Sequence, residues 1–175
     1  SPMLNFNKNS DHNAKILLQS MADMGLRNVT KAQLARAISK AEEDAMGLKR
    51  KLVELFKSNE SAGDDVSVVL LGRPYVVLSQ TLNKGIPDIF TGMGIRAWYQ
   101  DMLPSEDEAS RLKNLLEKIP WHFAANILRA AEWVARKKNL YPVLITAFKC
   151  APDSFIIEYF KQLMDLFSKP YLIIQ

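Results

Sequence analysis

Cysteine is nearly absent: the 175 residues hold one, Cys150. A lone thiol excludes an internal disulfide framework and suits a reducing compartment, so a cytoplasmic setting is expected. Long hydrophobic runs are lacking too. Stretches such as Val66 to Leu71 are far too short to cross a bilayer, and no signal peptide is visible, so no membrane role is expected. Histidine occurs twice, as His12 and His122, and the order of elements places neither beside Cys150; a Cys–His catalytic pair therefore has little support. The glycine-rich phosphate cradles are missing as well. No G-x-G-x-x-G follows the first strand-like run and no Walker A lysine motif occurs. The net charge of +4 is modest, and its clusters (Lys49-Arg50-Lys51, Arg136-Lys137-Lys138) fall on helix faces or helix ends, so no nucleic-acid partner is expected.

What is present is a change of period along the chain. Apolar residues at three- and four-residue spacing predict a helix over Asp11–Met24, and a second helix over Thr30–Lys57 begins with a Thr30–Gln33 capping box. In the second, Leu34, Ile38, Ala41, Ala45, Leu48, Leu52 and Leu55 step 4-3-4-3-4-3, a narrow seam that pairs with the first helix or with a second copy of the chain. Residues 1–60 thus read as a helical extension. After the polar linker Ser58 to Asp65 the pattern turns to strand and helix in alternation. Strands are predicted near 66–71, 95–100, 141–148 and 170–174, with a helix-like segment Leu78 to Met93 and further helices from the Ser105–Glu108 capping box, from Pro120 to Lys138 and from Asp153 to Phe167.

Such alternation implies a parallel sheet with right-handed crossovers, so residues 61–175 are expected to form a three-layer, flavodoxin-like or Rossmann-like α/β domain with strand order 2-1-3-4. In that order ligands bind beyond the carboxyl ends of strands one and three. The candidate residues there are Gly72, Arg73, Pro74 and Tyr75 after strand one, Asp101 after strand two, and Cys150, Asp153 and Ser154 after strand three. Arg73 suits a phosphate or carboxylate; the alternative is a plain turn with Arg73 paired to an acid such as Asp101. The helix after Pro152 offers free amides to an anion unless Asp153 and Ser154 cap it internally. Cys150, beyond the strand end, is expected at an accessible edge.

Taken together, "VVLLGRPY", "LNKGIP", "QDMLP", "WHFAANILRAAEWVARKKNLYPVLITAFKCAPDSFIIEYF" and "KPYLIIQ" resemble the acyl-CoA dehydratase activase-related proteins, over most of Val66 to Gln175. The resemblance implies a domain without assigned activity, similar to the cluster-carrying subunits of 2-hydroxyacyl-CoA dehydratases, in ATP-driven electron delivery of anaerobic metabolism. It makes Cys150 a candidate iron–sulfur ligand whose partners lie outside this chain, with a [4Fe-4S] cluster in the full-length protein and none in this piece. It implies as partners the remainder of a parent chain and a 2-hydroxyacyl-CoA dehydratase. The Ser-Pro-Met start and the strand-like end fit an excised piece, non-catalytic alone. Two other readings stand beside it: a small-molecule or nucleotide module at the Gly72–Tyr75 and Pro152 crevice, and a scaffold acting through the Leu34–Leu55 seam, as a homodimer or otherwise.

Overall fold

The computed structural model describes residues 2–5, 8–60, 65–104, 111–116, 118–147 and 151–175. Two compact units divide the chain, residues 1–51 and 52–175.

The first unit holds helix α1 (Ser10–Asp23) and most of α2 (Lys31–Asn59). Asn9 caps α1, its side chain accepting from the amide of His12. The capping box of α2 forms as its residues predict: the Gln33 amide donates to Thr30 Oγ1 at 3.3 Å, and Gln33 Oε1 accepts from the Thr30 amide at 2.8 Å. Lys31 pairs with Asp11, and Ser39 donates to Ser10. The seam is not covered as expected. Leu34 and Ile38 are half-buried, whereas Ala41 and Ala45 are exposed and Leu48 is 59% exposed. α1 is 14 residues long and α2 is 29, so a single short partner leaves much of the longer seam open. Leu48→Ala is accordingly expected to shift the urea midpoint of the dilute monomer by less than about 1 kcal/mol, against the 2–5 kcal/mol of a buried leucine. A loss in the buried range would show that this residue is covered.

The second unit is a four-stranded, all-parallel sheet in the order β2-β1-β3-β4, as the alternation predicts. The strands are β1 (Ser67–Leu71), β2 (Arg96–Tyr99), β3 (Leu140–Ile145) and β4 (Leu172–Ile174). Alternate side chains of the central strands feed two cores. Val69, Leu71 and Leu144 pack with Phe56 from the last turns of α2, with α7 (His122–Ala135) and with α8 (Ala151–Leu166). Phe56 is fully buried and meets Trp98 and Trp133 edge-on, ring centroids 5.1 and 5.6 Å away. On the other face Val68, Leu70, Val143 and Ile145 pack with Val76, Val77, Ile86 and Phe90.

Val76 and Val77 come from α3 (Pro74–Val77), a turn of helix ahead of the segment Leu78 to Met93 expected as one helix, and that segment is itself broken into α4 (Gln80–Asn83) and α5 (Ile86–Gly92). Buried Asn83 accompanies the break between α4 and α5. Its side chain donates to the Val77 carbonyl and accepts from the Gly85 amide, while Lys84 and Gly85 both turn left-handed. Short α6 (Lys113–Leu116) precedes α7. The Ser105–Glu108 capping box lies outside the described residues.

Candidate functional site

At the carboxyl edge of the sheet the segments that follow β1, β2 and β3 meet. β1 ends in Gly72, whose amide donates to Gln100 Oε1 at 3.1 Å; Gln100 opens the single 3-10 turn Gln100–Met102 that follows β2. Gly72 has φ +155°, and a Cβ there would lie 2.5 Å from the Ile145 carbonyl oxygen and 2.6 Å from a Val77 methyl. The β1 backbone thus passes against β3 where only a hydrogen fits.

Arg73 follows, and its guanidinium reaches across to α8. Nε and Nη2 both donate to Asp153 Oδ1, at 2.9 and 2.5 Å, and Nη1 donates to Tyr75 Oη at 2.8 Å. The second carboxylate oxygen of Asp153 accepts from Thr146 Oγ1, at the end of β3, at 3.0 Å. Asp153 is only 4% exposed and Arg73 22%. Burial disfavours the charge on Arg73, but hydrogen bonds to Tyr75 and Asp153, with the charge of Asp153, outweigh it and hold the guanidinium firmly protonated. The pair closes an internal circuit from β1 through α8 to β3.

The acid that Arg73 meets is Asp153, where the turn reading had offered Asp101. Asp101 sits in the 3-10 turn after β2. Asp153 directs its carboxylate to Arg73 and Thr146 from the first turn of α8, so the internal-cap reading gives way to a tertiary ion pair. Pro74 occupies the first turn of α3, where its missing N–H costs nothing, and Ser154 is exposed. Cys150, with Phe148 and Lys149, lies outside the described residues. Thr146 and Asp153, which precede and follow those residues in the sequence, hydrogen-bond each other.

The sequence reading did not include Thr146 and Gln100. Each is a polar residue directly past the last strand residue or at the first turn beyond it, a signal that apolar periodicity does not weigh. It also omitted an aromatic rim. Tyr75 packs edge-on to Phe123 (6.5 Å), Phe123 to His122, Trp121 to Phe155 (5.5 Å), and Phe155 lies 4.3 Å from Tyr159. Tyr75, Trp121 and Phe123 are exposed. Beneath, a void bounded by Gly72, Arg73, Ile127, Thr146, Asp153 and Ile156 measures about 10 Å³, near the minimum for one water.

The chain belongs to the CoA enzyme activase uncharacterised domain family, whose model matches residues 1–103. The match takes in both N-terminal helices, β1, Gly72 to Tyr75 and β2. No curated protein and no solved structure matches the chain. An iron–sulfur cluster of the kind the resemblance implies takes four ligands, usually cysteine thiolates. The sequence supplies one cysteine, and among the described residues no three His, Cys, Asp or Glu side chains gather as a metal site. This chain by itself does not fit such a cluster. No helix among the described residues is long and apolar enough to cross a membrane.

Proposed function

We propose that this activase-family domain is a docking platform, non-catalytic by itself, whose sheet edge binds the remainder of an activase protein and whose Cys150 serves that assembly. One observation carries the reading. The edge is filled and internally paired: Arg73, Asp153 and Thr146 satisfy one another over a void of about 10 Å³, while Tyr75, Trp121 and Phe123 stand exposed around them. A substrate pocket is concave and some 300–1,000 Å³ in volume, whereas protein interfaces concentrate their energy in exposed aromatic anchors. The small-molecule alternative is therefore disfavoured at this crevice. In the platform reading Cys150 contributes one thiolate to a cluster whose other ligands come from the partner, in support of a CoA-dependent dehydratase.

The test is binding of this chain to the separately produced remainder of its activase protein. Tyr75→Ala with Phe123→Ala is expected to weaken that binding by about tenfold or more while leaving the circular dichroism unchanged. Equal binding by the double variant, or none by the unaltered chain, would sink the proposal. Iron retained by the complex, and lost with Cys150→Ala, would support the thiolate role.

A further inference from the structure

The sheet has two outer strands, and they are finished differently. At β2, Arg96 lies over the Trp98 ring at 5.6 Å and donates to the Asn59 carbonyl, so a charge and the end of α2 guard that side. At the other side β4 pairs with β3 alone among the described residues. Tyr171, Leu172, Ile173 and Ile174 carry no charge, and Pro170 precedes the strand without interrupting it. Lys169 does not shield it either: its ammonium turns inward to the Lys137 and Lys138 carbonyls just beyond α7. The outer side of β4 is open and apolar.

The pleat says which backbone groups point away from β3. The Ile174 carbonyl accepts from the Thr146 amide at 2.9 Å, so residue 174 faces β3. Backbone groups alternate sides along a strand, which turns the amide and carbonyl of Ile173 outward. Such a pair of groups is matched by another extended strand. The side chains show what must come with it. On the first face β4 is covered, with Ile173 half-buried in the first core and Phe160 of α8 meeting the Tyr171 ring at 5.3 Å. On the second face α5 lies against β2, at the far side of the sheet, and Leu172 is 46% exposed.

We propose that β4 takes up one further strand, with a helix laid over Leu172 on the second face, both donated by the remainder of the activase protein. The inference rests on the platform reading and places a second contact of that assembly. A second copy of the chain fits less well. Two β4 strands joined about a two-fold axis normal to the sheet satisfy their backbones, but they bring Leu172 and Ile174 of both copies to one face with no helix above them. A strand that arrives with its own helix satisfies the backbone and buries Leu172 at once.

The test binds this chain to the separately produced remainder of its activase protein and follows amide hydrogen exchange. Exchange at Ile173 is expected to slow at least about tenfold in the complex. Leu172→Lys is expected to raise the Kd about tenfold or more, because a charge then lies under the helix, while the urea midpoint of the chain alone stays unchanged. Unslowed exchange at Ile173 in a formed complex overturns the proposal, as does equal binding by Leu172→Lys. Protection of Ile173 in the chain alone that grows with its concentration also overturns it, since a second copy then fills the edge. The two readings fail separately. Binding weakened by Tyr75→Ala with Phe123→Ala but not by Leu172→Lys removes the added strand and keeps the platform. The reverse pattern keeps the strand and removes the aromatic edge, and no binding at all removes both.

Discussion

Gly72→Ala is expected to be the most damaging single methyl in the protein, lowering stability by roughly 3 kcal/mol or more. Two costs add. The backbone at φ +155° lies where side-chain-bearing residues are strained, and the new Cβ would fall 2.5 Å from the Ile145 carbonyl oxygen and 2.6 Å from Val77 Cγ2. Neither neighbour is the free end of a long side chain. Ile145 is the last residue of β3, hydrogen-bonded in the ladder to β4, and Val77 is buried in the second core. Relief requires β1 and β3 to part at the edge where Arg73 crosses. Urea denaturation read by tryptophan fluorescence measures the loss, and a change below about 1 kcal/mol would mean that the loop relaxes freely.

Removing either half of the Arg73–Asp153 pair should be costly, but not equally. Arg73→Met leaves Asp153, 4% exposed, with the Thr146 hydroxyl in place of a cation, and an uncompensated buried charge of this kind costs about 3–5 kcal/mol. Asp153→Asn keeps an acceptor for Thr146 and leaves a guanidinium that is already 22% exposed and can turn toward water, so a smaller cost of about 1–3 kcal/mol is expected. Urea midpoints of both variants at pH 7 check the ordering. Equal costs would argue that water or a neighbouring group compensates Asp153.

The sheet was legible because its strands are short β-branched or apolar runs between amphipathic helices, and right-handed crossovers leave few orders for four of them. Val68 to Leu71 and Tyr141 to Ile145 announce central strands through unbroken apolar character, and Ser67–Leu71 and Val143–Ile145 are buried on both faces. The Thr30–Gln33 capping box was equally plain, since it is closed within four residues. The broken region after Pro74 was not. Its apolar residues repeat at helical spacing, and only the reach of Asn83 to the Val77 carbonyl and the Gly85 amide shows where α4 gives way to α5.

At the site, Gly72, Arg73, Tyr75 and Asp153 could be nominated from the sequence because each follows a strand end or opens a helix. That Arg73 and Asp153, eighty residues apart, would neutralise each other could not. Topology brings both to one edge, but side-chain reach decides between Asp153 and Asp101. The same division holds for the whole chain. Local spacing by itself determined helix, strand and their alternation, because periodicity is written in consecutive residues. Only the tertiary structure decided that the crevice closes on its own charges, that the aromatic rim stands open, and that the middle of the α2 seam is left exposed. Those outcomes depend on distances between residues far apart in the chain, which packing alone sets.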